Sequence, residues 1–444
     1  MKNNKVKSVK KKLLDCINSV SECSWLFSEI PTKDFTRNRK LPFSKVVSII
    51  LAMGGGSLSN ELLDSFNCSI KTPSSSAFVQ QRSKIDPSAF EYLFKLFVNN
   101  NSYKSNYKGY RLLAVDGSDI HIPTNHKDAE SLQQSVNNAK SYNLLHLNAM
   151  YDICNRTYID ALIQKFHNSN EHSAFVDMVD RYDRTVPTVF IADRGYESYN
   201  NMAHVQEKNQ FFLIRIKNSS SSGILKGMSL PYDDEYDINI NLSLTRKQTN
   251  ETKELLKNKN EYKYISHNSK FDFLPQTSRK YVAMKPYLLH FRIVRFKITE
   301  NTYEVVLTNL DKKNFPAEEL KKLYAMRWGI ETSFRELKYT IGLLHFHSKK
   351  VEFIIQEIFA KLTMYNYSEL IVTNITIQNK ERTYNYRVNF TVAAHICKKY
   401  FMNNVSPPEV EALISRYITP IRPDRNNPRK LLIKTAVSFT YRIA

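Results

Sequence analysis

The sequence predicts an α/β fold: a mixed sheet preceded by a helical region and interrupted by a β-rich insertion. Three observations carry this expectation. Early in the chain, apolar residues recur at three- and four-residue steps, as in Leu13, Leu14, Ile17 and Val20. Further on, two short, mainly apolar runs (111–116 and 188–193) each end in an aspartate, as buried strands of an α/β layer often do. Residues 237–245 then alternate strictly between polar and apolar, the mark of a half-buried strand.

Five stretches follow from this pattern. Residues 1–107 read as several short helices, punctuated by Pro42 and Gly54-Gly55-Gly56, with Asp86-Pro87 opening another amphipathic stretch. Interspersed Arg37, Arg39, Lys40 and Lys45 suit this region to DNA binding. Residues 108–218 supply the first part of the core, with strands at 111–116, 118–123, 143–153, 157–164, 188–193 and 210–217 and helices at 173–182 and 197–208. Asp116-Gly117 reads here as a turn signal, which leaves Asp119 in a polar turn. Residues 219–318 are the β-rich insertion, 319–375 the helical second part of the core, and 376–444 a basic carboxy-terminal region. That last region carries Arg422, Arg425, Arg429 and Lys430, with Tyr417 and Tyr441 interspersed.

Charge narrows the partners. Lys and Arg total 64 against 43 Asp and Glu, a formal excess of +21, which points to a polyanion. The apolar stretch at 46–53 is interrupted by Ser48 and falls far short of the ~20 residues that a membrane-spanning helix needs. The lysines near the start are followed by no apolar run, so no secretory signal is expected. Five scattered cysteines without a CxxC pair suit a reducing compartment, and the chain reads as cytoplasmic with no membrane partner.

Chemistry concentrates in three places. On a helix over 320–344, Leu323, Ile330, Phe334, Leu337 and Ile341 fall on one stripe, and Tyr324, Arg327, Glu331 and Lys338 on the stripe beside it. Glu336 lies off that second stripe. A carboxylate at the border of a buried face can be held rigidly and still reach a substrate, which singles out Glu331. Asp116 and Asp193 each sit where a buried strand gives way to a Gly-containing segment. Two strand-end aspartates and one helical glutamate could together hold magnesium, which takes a few carboxylates plus phosphate oxygens. A pair of such ions suits phosphodiester cleavage.

These residues resemble a known family. Tyr324, Arg327, Glu331 and Lys338, in YAMRWGIETSFRELK, match in every spacing the Y-R-E-K signature of DDE transposases of the insertion-sequence-four group. IADRGY (191–196) resembles that family's second aspartate motif and LLAVDGSDIHIP (112–123) its first. The resemblance implies an RNase H-like core with a β-strand insertion and cut-and-paste DNA transposition in a bacterial, nucleoid-associated setting. It implies Mg²⁺, two ions with Mn²⁺ as a substitute, held by Asp116, Asp193 and Glu331. Tyr324, Arg327 and Lys338 would contact phosphates of the terminal inverted repeats, and Trp328 could stack on a base. The expected partners are double-stranded DNA, both transposon ends and target, and a second copy of the chain in a synaptic homodimer.

Other readings stay open beside it. One is a transposase-derived DNA-binding protein without catalysis. Another rests on His345-Phe346-His347, similar to the two-histidine metal motif of rolling-circle nucleases, with Tyr365 or Tyr367 as nucleophile. Asp119 competes with Asp116 as first acid, but Asp116 ends the apolar run. His121, His146, His167 and His172 show no metal-site spacing and read as ordinary hydrogen-bonding residues.

Overall fold

A computed structural model describes the chain except residues 1–2, 38, 102, 104, 135–140, 184, 219–222, 276–284, 376–384 and 422–444. Arg422, Arg425, Arg429, Lys430 and Tyr441 therefore lie outside the described residues. Five helices come first: α1 (Asn3–Glu22), α2 (Phe43–Ala52), α3 (Leu58–Ser65), α4 (Ser75–Arg82) and α5 (Ser88–Asn99). Ser57 and Ser74 begin α3 and α4 by accepting hydrogen bonds from Asn60 N and Ala77 N, as N-caps do.

The core follows as β1 (Arg111–Ile122), β2 (Leu132–Gln133), β3 (Tyr142–Asp152), β4 (Thr157–Lys165), α6 (Glu171–Asp180), β5 (Thr188–Ala192), α7 (Tyr199–Glu207) and β6 (Phe211–Ile216). Strands β1, β3 and β4 pair antiparallel, while β1, β5 and β6 run parallel. The spatial order β4-β3-β1-β5-β6, with its parallel half reached through helices, is the arrangement expected of an RNase H-like core. The α/β expectation is met.

Strands β7 (Tyr236–Thr245), β8 (Tyr262–Tyr264), β9 (Tyr287–Thr299) and β10 (Thr302–Thr308), with the short α8 (Asn250–Leu255), correspond to the expected insertion. They build no sheet of their own. Antiparallel pairing of β10 with β6 extends the core into one ten-stranded sheet.

Helices α9 (Ala317–Met326) and α10 (Trp328–Arg335) lead through a π-helical turn (Glu336–Thr340) to α11 (Val351–Val372). The single helix expected over 320–344 is thus divided at Arg327 and ends at Thr340, two residues before Gly342, whose φ of +90° suits only glycine well. Helix α11 is buried on nearly every side, packed by α1, α2, α5, β4 and α12 (Phe390–Phe401). A final helix α13 (Pro407–Arg416) and a small ribbon of β11 (Tyr386–Val388) and β12 (Ile418–Pro420) complete the described chain.

The amino-terminal helices share an apolar core with α11 and one face of the sheet rather than standing apart. A buried polar staple fixes this union: Arg82 Nη1 lies 2.8 Å from Glu357 Oε1, and Arg82 Nε donates to Gln356 Oε1 at 2.8 Å. His347 is the fourth member, its Nδ1 3.1 Å from Glu357 Oε2. On the opposite face of the sheet, α6 and α7 cover a second core. No helix among the described residues is long and apolar enough to cross a membrane.

Candidate active site

The parallel pairing of β1 with β5 brings the two aspartates together. Val115 stands in register with Ala192, so Asp116 and Asp193 each follow by one residue on neighbouring strands. Asp193 then leaves the sheet, and its Oδ1 accepts from Gly195 N at 2.8 Å, capping a 3₁₀ turn (Arg194–Tyr196).

Strand β1 does not stop at Asp116. It continues to Ile122, and Asp119 pairs in register with His146 of β3. The turn read from Asp116-Gly117, and with it the placement of Asp119 in a turn, is corrected. Gly117 serves close approach instead: a β-carbon there would fall 2.4 Å from His146 Nε2 and 2.6 Å from Glu171 Oε1.

Helix α10 brings the third acid. Its apolar residues Ile330 and Phe334 sink into the core, and Ser333 Oγ lies 2.8 Å from the Tyr158 hydroxyl of β4. With that face fixed, Glu331 lies at the edge of the site, half-buried. Arg327, at the joint between α9 and α10 and only 5% exposed, connects the acids. Its guanidinium lies 2.8 Å from Glu331 Oε1 and 3.5 Å from Asp116 Oδ2. The same group lies over the rings of Tyr324 and Trp328, at 5.6 and 5.8 Å from their centroids. Trp328 itself is about half exposed.

Lys338, on the π-helical turn, donates to Ser118 Oγ at 2.7 Å and to the Asp119 carbonyl at 2.9 Å. Arg327 and Lys338 therefore reach β1 directly, and Glu331 and Tyr324 stand against Arg327. Two of their donors, the Tyr324 hydroxyl and Arg327 Nε, are buried and have no hydrogen-bond partner among the described residues. Leaving a donor in that state costs about 1–3 kcal/mol, which a phosphate oxygen could recover.

Burial raises the Asp116 carboxyl to about 6, against the pull of Arg327 and with the push of Asp193 and Glu331. Asp116 thus senses both other acids. They are not, however, gathered as tightly as a metal cage: no group of three or more His, Cys, Asp and Glu placed to hold a metal ion occurs among the described residues. The guanidinium of Arg327 stands in contact with two of them.

The rival readings fare worse. His347 is spent on the Glu357 staple. Tyr365 and Tyr367 are fully buried in α11, and the Tyr365 hydroxyl donates to Glu336 Oε2 at 3.0 Å. Neither tyrosine is placed as a nucleophile. Glu336, off the stripe as expected, serves that structural contact. His121 packs against Tyr142 in a tilted arrangement, His167 Nε2 lies 2.8 Å from the Leu132 carbonyl, and His172 Nδ1 lies 3.0 Å from Asn201 Nδ2, as ordinary histidines do.

Reading the sequence missed two neighbours of the acids: Glu171, at the start of α6, and Tyr196, whose hydroxyl is buried without a partner among the described residues. Tyr196 belongs to the quoted IADRGY motif; Glu171 has no local signal.

Comparison with known proteins decides the family. The transposase DDE domain family matches residues 107–367, more than half of the chain. The chain belongs to that family. Membership supports a role in DNA transposition and an enzyme of the nuclease or transferase kind. Among solved structures, a cryo-EM structure of a piggyBac transposase synaptic complex with hairpin DNA is similar at 8% identity and a TM-score of 0.43, covering 95% of this chain and 84% of that one. At that distance it assigns no residue. A search of curated proteins found no match.

DDE transposases in general use divalent metal ions, and the donor chemistry of this site, though not its present spacing, suits one. The donors are carboxylate oxygens, the ligands that Mg²⁺ prefers. Asp116 is desolvated and pressed by two like charges, a condition that a bound cation relieves.

Proposed function

We propose that this protein cuts DNA at the ends of its own element and joins the freed 3′-hydroxyl to target DNA, in metal-dependent cut-and-paste transposition. The observation that carries the reading is the meeting of Asp116 and Glu331 at Arg327, one strand away from Asp193. Asp116, Asp193 and Glu331 would hold the ions, two of Mg²⁺ or Mn²⁺. Bound metal supplies charge neutralisation at the scissile phosphate and a more acidic attacking water or hydroxyl.

The chain's own residues do the rest. Arg327 turns its guanidinium from Glu331 to a phosphate of the DNA end, a charge-assisted contact that Arg makes well. Tyr324 donates its buried hydroxyl to a phosphate oxygen, and Lys338 adds a second cation, so that the end is positioned rather than read by sequence. Trp328, half exposed beside Arg327, offers a face on which a base can stack. The net charge of +21 favours duplex DNA as the partner, with a homodimer holding two ends.

The test is direct. Purified protein is incubated with a duplex carrying the element's inverted repeat and its flank, with Mg²⁺, Mn²⁺ or EDTA. A nick at the repeat boundary that leaves a 3′-hydroxyl, dependent on metal, supports the reading. Tight end binding without cleavage in any divalent metal contradicts it.

A further inference from the structure

Behind Asp116, three polar side chains from three elements form one continuous bridge. His146 of β3 stands opposite Asp119 of β1, with its Nδ1 2.8 Å from Asp119 Oδ1. Its Nε2 lies 3.1 Å from Glu171 Oε1 in the first turn of α6, an ion contact by distance that lacks hydrogen-bond geometry. The imidazole is almost buried, at 10% side-chain exposure. The bridge passes β1 at Gly117, the residue after Asp116, through the space that a β-carbon would have filled.

Its far end reaches the other aspartate. A β-carbon on Gly195 would lie 3.0 Å from Asp193 Oδ1 and 3.5 Å from Glu171 Oε2, so the two carboxylates flank the same glycine. Helix α6 also holds the rest of that turn. Phe175 packs on the Tyr196 ring at 5.7 Å, and Asn201 Nδ2 donates to the Tyr196 carbonyl at 3.0 Å while lying 3.0 Å from His172 Nδ1. Beyond the β1–β5 pairing, the Asp193 turn is therefore also held by α6, and α6 is tied to β1 through His146.

We infer that the Asp119–His146–Glu171 bridge is a positioning device that sets the spacing between Asp116 and Asp193 for the phosphodiester chemistry. The inference rests on the function proposed above. A cation between two carboxylates also offsets one of their two charges, which weakens their pull on the metal and their repulsion of the DNA beside the reacting acids. Burial pulls the His146 imidazolium down, but its contacts with Asp119 and Glu171 outweigh this and hold it at about 9, charged at neutral pH. None of the three touches a reacting atom in this account.

The test compares the wild type with Glu171→Gln, His146→Gln and the double variant. Single-turnover nicking is measured across a Mn²⁺ titration, alongside DNA affinity, thermal unfolding and the ¹⁵N spectrum of the His146 ring. Each single change is expected to slow nicking by about 10–100-fold and to raise the Mn²⁺ concentration needed, the usual cost of removing an outer-layer partner. DNA affinity and unfolding temperature stay near wild type. The double variant is no slower than the slower single one, because one bridge is broken in each case. In Glu171→Gln the His146 ring loses its proton at a lower pH than in the wild type.

Wild-type nicking with wild-type Mn²⁺ dependence in Glu171→Gln overturns the inference, as does a rate that falls only in step with unfolding temperature. Glu171 is the more exposed end of the bridge, so its variant keeps the test usable if His146→Gln does not fold. A wild type that cuts no DNA with any divalent metal overturns the transposase reading itself, and the positioning role with it.

Discussion

Arg327 lies 2.8 Å from Glu331, one helical turn further along the chain, and reaches Asp116 with its other terminal nitrogen at 3.5 Å. A fixed cation thus occupies the approach to two of the three acids. A DNA phosphate competes for that guanidinium and, on taking it, leaves both carboxylates open to metal. DNA end and metal should therefore strengthen one another's binding, as linkage requires.

Replacing Arg327 by Gln separates the two roles of this residue. Affinity for the DNA end should fall, and its salt dependence should become shallower by about one counterion. Mn²⁺ binding without DNA, read by electron paramagnetic resonance, should become tighter because Asp116 and Glu331 lose their internal cation. Weaker Mn²⁺ binding in the variant contradicts the role given to Arg327.

Asp116 makes stability depend on pH. Burial, opposed by Arg327 and reinforced by Asp193 and Glu331, raises its carboxyl from 3.8 to about 6. Between those values the unfolded chain gives up the proton first, so stability falls as pH rises through this window. Asp116→Asn carries no such charge. It should exceed the wild type by about 1–3 kcal/mol in urea unfolding above pH 6, a gain that vanishes near pH 4. An equal difference at both pH values would show that Asp116 is not the group responsible.

The staple beneath α11 should matter for folding rather than for chemistry. Burial opposes the charge on Glu357, yet Arg82 and His347 hold its carboxyl down at about 2. Arg82→Met leaves that carboxylate buried without its main partner and should cost about 3–5 kcal/mol. Chemical denaturation measures this loss; a variant as stable as the wild type contradicts the staple.

Tyr365→Phe distinguishes the two nuclease chemistries. The buried hydroxyl contacts Tyr151 and Glu336 and nothing at the acids, so nicking should be unchanged. Loss of nicking, together with loss of a covalent protein–DNA adduct, would favour a tyrosine nucleophile instead.

Much of this site was legible in the sequence, and the reasons differ by residue. Asp116 and Asp193 were marked by the apolar runs before them, because the parallel, buried stretch of β1 and β5 needs such runs and ends at Val115 and Ala192. Ile330, Phe334 and Leu337 marked the buried face of the helical stretch that carries Glu331, which placed that acid on its border. The break at Arg327 left no sign, since its backbone stays in the helical region on both sides. Gly117 misled, because a glycine after an aspartate signals a turn unless something across the sheet needs the space. That something, His146 with Glu171, comes from distant parts of the chain that no local pattern connects. Strand β7 was recognised by its alternation at 237–245, but pairing of β10 with β6 depends on edges that sequence does not display.

The central claim is that Asp116, Asp193 and Glu331 act together on DNA. Single-turnover nicking of an end-bearing duplex in Mg²⁺ and in Mn²⁺ tests it most directly, using Asp116→Asn, Asp193→Asn and Glu331→Gln. Each should lose at least about a thousandfold in rate, equivalent to some 4 kcal/mol of barrier, while still binding the end. Wild-type nicking by any one of the three would remove that residue from the site and contradict the account.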